Sequence, residues 1–245
     1  MYYSFFVIVS LIWGGGFYLM KIAGFAFGPL TIGAASTLGG SIVLWGYWAI
    51  NRAKWHVAKD QILPLLFVSV FSFTFPYAVQ PFLVAKIGHG YVGMMVSLVP
   101  VLTILVSIPI LKVFPSKVQL IGVLIGIIGI VLMMKDGLDR MAEPAYLFLA
   151  VLVPICYATS NTLIRRTLSD IPSIVLSALL MTSATVVLTP LSLMFETVVI
   201  DDRFMLALSS MFLLSLLVRG LGMALFYRMI QVKGPLFAGL VTYVI

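Results

Sequence analysis

"WGGGFYLMK" (13–21) and "YATSNTLIR" (157–165) each run from an aromatic residue through small residues to a cation eight positions later, and the two stretches lie 144 residues apart. A proline follows each and opens the next apolar run: Pro29 after the first, Pro172 after the second, 143 residues apart. A third correspondence sits near the end of the chain. "VGMMVSLVPVL" (92–102), shifted by 146, lands on "AGLVTYVI" (238–245), with Gly93 over Gly239, Ser97 over Tyr243 and Val99 over Ile245. Offsets that agree this closely read as one unit written twice.

The units are made of membrane-spanning helices. The 245 residues are 62% hydrophobic and 9% charged, with a mean hydropathy of 1.18, whereas soluble domains are about half apolar and about a quarter charged. Since about twenty apolar residues cross a bilayer as a helix, the expected spans are 2–20, 30–50, 62–85, 91–111, 118–134, 145–164, 174–195 and 204–227. A ninth begins near Pro235 with only about ten residues left, a rise of roughly 15 Å, or half the hydrocarbon thickness. A chain terminus at that depth is costly, so the second copy is expected to be cut short by roughly 35 to 45 residues. The alternative is a C-terminal segment lying at the interface or re-entering. Each full copy holds five spans, an odd number, so the copies enter the membrane from opposite sides. The expected fold is therefore an all-α polytopic membrane protein, a 5+5 inverted-repeat bundle. Its repeats are 1–135 and an incomplete 145–245, with eight full spans and a partial ninth.

The net charge of +7 fits cytoplasmic loops better than nucleic acid, because Lys and Arg collect on that side. With the N-terminus inside, Arg52, Lys54, Lys59, Lys112, Lys117, Arg165, Arg166, Arg228 and Lys233 fall inside. Lys21, Lys86, Lys135, Arg140 and Arg203 fall outside, with most of the acids. The start has no basic leader and many spans follow, so it does not read as a signal peptide. The expected location is the plasma membrane (the inner membrane in a bacterium), multi-pass, with the N-terminus cytoplasmic.

Trp13-Gly14 with Phe17 and Lys21, Ser97-Leu98-Val99-Pro100, "QLIGVLIGIIGIVLM" (119–133), Ala158 with Arg165, and "GLVTYVI" (239–245) together resemble the drug/metabolite transporter superfamily, in particular its ten-helix EamA-type carriers. The resemblance covers nearly the whole chain through the order and spacing of motifs that are each weak alone. It implies a 5+5 bundle that moves small metabolites, often outward. One departure stands out: such carriers often have Gly-Glu after the fourth span, where this chain reads Lys112-Val113.

The residues themselves narrow the chemistry. The chain has no H-E-x-x-H, no G-x-S-x-G and no phosphate-binding loop. His56 and His89 read as solvated loop histidines; an intramembrane hydrolase using His89 would lack the elbow that exposes a nucleophile. A single cysteine, Cys156, allows no internal disulfide and suggests no thiol metal site. No enzyme activity, cofactor or metal is expected. No Asp or Glu lies near the centre of a predicted span, which argues against a cationic-drug/proton antiporter. The one deep charge is Arg219, read either as an anchor for an anionic substrate group or as a structural partner of backbone carbonyls. Lys21 and Arg165 end their spans as snorkelling anchors.

Gln80, Ser97, Tyr157, Ser160, Asn161 and Tyr243 are neutral polar residues within spans. They are expected to face inward, either lining a pathway or tying helices together. Trp13 and Tyr77 supply rings for an apolar wall. Pro76, Pro81, Pro100 and Pro109 free backbone carbonyls within their spans. Gly122-x-x-x-Gly126 with Gly129 offers a smooth face for packing, within the bundle or in a homodimer. The expected substrate pathway is Trp13, Tyr77, Gln80, Ser97, Tyr157, Asn161, Arg219 and Tyr243. The expected function is alternating-access export of small organic metabolites such as amino acids, the partners being that solute and membrane lipid. The alternatives are a non-transporting membrane subunit or degenerate transporter fragment and, less favoured, an intramembrane enzyme.

Overall fold

The computed structural model describes residues 2–52, 54–112, 114–117, 120–125, 127–128 and 144–244, and every regular element among them is a helix. Helix α1 (Tyr2–Ala23) and α2 (Pro29–Asn51) come first. The third span is α3 (Lys59–Ser69), a π turn (Val70–Thr74) and α4 (Phe75–Ile87). The fourth is α5 (His89–Val96) and α6 (Val99–Leu111). After these come α7 (Pro144–Thr167) and α8 (Ser173–Phe195). The eighth span is α9 (Phe204–Leu213), a long π segment (Leu214–Gly222) and α10 (Met223–Lys233). Last come α11 (Pro235–Gly239) and a 3-10 turn (Leu240–Tyr243).

Six helical runs among the described residues are long and apolar enough to cross a membrane: Tyr2–Ala23, Lys59–Ile87, His89–Leu111, Pro144–Thr167, Ser173–Phe195 and Phe204–Lys233. The protein is an all-α polytopic membrane protein. Helix α2 has 23 residues, enough to rise about 35 Å, but Gly33, Ser36, Thr37, Gly39, Gly40 and Ser41 dilute its hydropathy. Those residues suit a helix packed among others, and α2 lies along α8 and against the long π segment and α4. The expected fifth span, 118–134, falls largely outside the described residues, as do Gly126 and Gly129. Within it 120–125 and 127–128 are helical, and a Cβ on Gly122 would meet nothing within 4 Å.

Backbone irregularities recur at one spacing. Gly88 has φ 87° and ψ 151°, and Gly234 has φ 91° and ψ 163°. Only glycine adopts that region readily. The two residues lie 146 apart, and each alone joins a long helix to the short helix after it. Each short helix also gives way partway: α5 at Ser97 and Leu98, α11 at Leu240. The hydroxyl of Ser97 donates to the carbonyl of Thr242 at 2.7 Å, so residues at nearly the repeat spacing touch. Helices α2 and α8 do the same, Thr185 Oγ1 donating to Thr37 Oγ1 at 2.9 Å.

Polar clasps close the two ends of the bundle. At one end Glu196 caps α2 from across the chain, accepting from Leu30 N at 2.9 Å, Thr31 N at 2.7 Å and Thr31 Oγ1 at 2.8 Å. Beside it Val199 N donates to Ala26 O at 2.9 Å. At the other end Gln61 Nε2 donates to Thr167 O at 3.0 Å and Gln231 Nε2 to Ile171 O at 2.7 Å. Such bonds satisfy loop carbonyls that a helix ladder cannot reach.

Candidate functional site

Between the clasps lies a cavity of about 620 Å³, mouth included. Helix α1 contributes Trp13, Gly16, Phe17 and Met20; the third span contributes Ser72, Tyr77 and Gln80; Val96 and Val99 flank the break in the fourth. From the later half come Tyr157 and Asn161 of α7, then Val218, Arg219, Met223, Phe226 and Tyr227 of the eighth span, and Thr242.

Close helix contacts fix this lining. A Cβ at Gly33 of α2 would stand 2.6 Å from the carbonyl oxygen of Tyr77, and one at Gly40 would stand 2.7 Å from Cβ of Arg219. Glycine at both places lets α2 press the Tyr77 and Arg219 backbones inward. The Tyr77 carbonyl also lacks its usual i+4 donor, because residue 81 is proline. An α-hydrogen of Gly33 therefore approaches an acceptor that the helix has left free, a weak but recurrent contact.

Arg219 is 4% exposed, and its guanidinium carbon sits 3.6 Å from the centroid of the Tyr77 ring. Nε and Nη2 have no hydrogen-bond partner among the described residues. A desolvated cation–π contact is worth about 2 kcal/mol, while burying an ion costs several kcal/mol. The ring orients the guanidinium without offsetting its desolvation. Trp13 Nε1 also lines the cavity with no partner among the described residues, and Ser72 and Tyr227 bring their hydroxyls beside each other on its wall. The Trp13 ring is held against Phe226, centroids 4.6 Å apart. Its N–H lies close over Gly222, where an added Cβ would come within 2.7 Å. Across the cavity Tyr157 OH donates to Gln80 Oε1 at 3.2 Å.

Of the residues singled out in the sequence, Trp13, Tyr77, Gln80, Tyr157, Asn161 and Arg219 meet in this cavity. Ser97 stands beside it in the bond to Thr242, and Tyr243 points away, its hydroxyl donating to Val123 O at 3.3 Å. The 3-10 winding of Leu240–Tyr243 turns Thr242 inward instead. Ser72 and Tyr227 were not anticipated. Tyr227 reads as the last residue of a span, but the helix runs on to Lys233 and carries it deep, where it is 0% exposed. His89 packs edge-on against Tyr18, ring centroids 6.1 Å apart, away from the cavity.

Residues 1–135 match the sequence pattern of the EamA-like transporter family. No curated protein matches the chain closely enough to count as a relative.

Proposed function

The chain belongs to the EamA-like transporter family, a multi-pass membrane transporter of the drug/metabolite type, and from that premise we propose that it exports small organic metabolites such as amino acids by alternating access. The observation that carries this reading is a single cavity lined from both the earlier and the later spans, holding one buried cation and several unsatisfied polar groups. A permanently filled protein core leaves few such groups; a substrate site leaves them for its ligand. Inverted repeats are consistent with the paired glycines 146 residues apart and with the contacts Ser97–Thr242 and Thr37–Thr185. In such an arrangement two similar halves exchange conformations around a fixed central site. Trp13, Tyr77, Gln80, Tyr157, Asn161 and Arg219 form the substrate pathway in this reading, with Ser97 and Tyr243 bracing its edge. The deep positive charge favours neutral, zwitterionic or anionic solutes over cations. The excess of Lys and Arg in alternate loops supports a cytoplasmic N-terminus, in this reading within the plasma membrane.

The test is transport by the purified protein in sealed vesicles against a panel of metabolites. Saturable counterflow of at least one small solute, lost in a Trp13→Ala, Asn161→Ala variant that remains folded, is the expected result. Vesicles with no protein-dependent flux for any neutral, zwitterionic or anionic solute would remove the carrier reading.

A further inference from the structure

The transport reading leaves the solute broad, and the guanidinium of Arg219 narrows it. Its two unpartnered nitrogens, Nε and Nη2, share one edge of the planar group. That edge presents two parallel N–H donors, the spacing that a carboxylate takes side-on with both oxygens. The flat face is already occupied by the Tyr77 ring at 3.6 Å, so the edge cannot swing freely; it is shut off from solvent in this conformation, and a ligand reaches it as the cavity opens.

Charge balance then limits what the ligand carries. Arg219 is the one charged side chain among the described residues lining the cavity. A solute with a single negative charge brings the site to neutrality. A dianion overshoots and leaves one charge buried without a partner. A zwitterion neutralises the guanidinium but adds an ammonium, and the lining offers that ammonium no carboxylate. Its acceptors would be the amide oxygens of Gln80, which already accepts one bond from Tyr157, and of Asn161, and neither carries charge. The body of the solute faces Phe17, Val96, Val99, Val218 and Phe226, an apolar wall.

We propose that the transported solute is an organic monocarboxylate with an aromatic or branched apolar body, bound side-on through Nε and Nη2 of Arg219. This rests on the carrier reading above. Zwitterionic amino acids with the same body bind more weakly, because their ammonium group enters without a counter-charge.

Three probes of one shape separate the charges: phenylpyruvate (monoanion), phenylalanine (zwitterion) and phenethylamine (cation), each tested for counterflow in vesicles and for thermal protection of the purified protein in detergent. Phenylpyruvate is expected to half-saturate at a concentration about tenfold or more below that of phenylalanine, and phenethylamine is expected to be inert. Arg219→Lys keeps the charge but loses the two-donor edge, and should raise the phenylpyruvate half-saturation about tenfold. Arg219→Gln should abolish phenylpyruvate protection while raising the thermal midpoint of the unliganded protein, since it removes an unpaired buried charge. That midpoint separates a lost ligand contact from a failure to fold. Phenylalanine or phenethylamine carried as well as phenylpyruvate, or unchanged phenylpyruvate binding in Arg219→Gln, would overturn the proposal and leave the carrier reading standing. Flux of no solute, in these probes or in the wider panel, would overturn both.

Discussion

Replacing Gly33 with alanine tests whether the close approach of α2 to Tyr77 holds the site together. The new Cβ would lie 2.6 Å from the Tyr77 carbonyl oxygen and 3.1 Å from Leu188 Cδ1, whereas ordinary contact begins near 3.4 Å. The leucine methyl can rotate away. The carbonyl belongs to a helix backbone and moves only with α4. Overpacking of this kind costs about 1–3 kcal/mol, and alanine's better helix propensity returns at most about 1 kcal/mol. The net expectation is a loss of roughly 1–2 kcal/mol in unfolding free energy. Gly46 of the same helix supplies the control, because a Cβ there meets nothing within 4 Å, so Gly46→Ala should be neutral or slightly stabilising. Displacing α4 also shifts the ring beneath Arg219, so Gly33→Ala should transport less while Gly46→Ala transports normally. Reversible unfolding in mixed micelles and vesicle flux measure the two effects. Equal stability and equal flux for the two variants would refute the reasoning that glycine at 33 is required by contact.

Gly88→Ala and Gly234→Ala should each destabilise the protein by about 1–3 kcal/mol, and by similar amounts, because both force a side chain into the same glycine-only backbone region; unfolding midpoints of the pair check this. Glu196→Ala removes the acceptor of three hydrogen bonds at the start of α2 and should cost about 1–2 kcal/mol. Amide exchange at Leu30 and Thr31 should speed up by more than at Ser36, and uniform exchange along α2 would count against a capping role.

The bundle was largely legible from hydrophobicity, because every span without internal partners must be greasy along its length. Helix α2 was legible by length, although its small residues make it less apolar than its neighbours. The π segments were not legible. Nothing in "VFSFT" or "LSLLVRGLG" marks it off by composition from an α-helix. At the site two residues are placed differently from the expectation, each for its own local reason. An ideal helical phase would turn Tyr243 inward, but the 3-10 winding presents Thr242. A span boundary drawn at Tyr227 hides that residue's depth, because Arg228 and Lys233 look like the start of a loop. The deep Arg219 was visible as an anomaly, a charge in an apolar run, but its stacking on Tyr77 depends on two glycines in a distant helix.

The one-residue joins at Gly88 and Gly234 also restrict how the molecule can change shape. A link of one residue has only two torsions, so the joined helices have few ways to swing apart even though glycine itself is permissive. Helices α4 and α5 are thus closely coupled, and α10 and α11 likewise. Each pair has a further break beyond the join, at Ser97 and Leu98 in one and at Leu240 in the other. The Ser97–Thr242 bond ties those two breaks together beside the cavity, so bending at either one would change the cavity's shape.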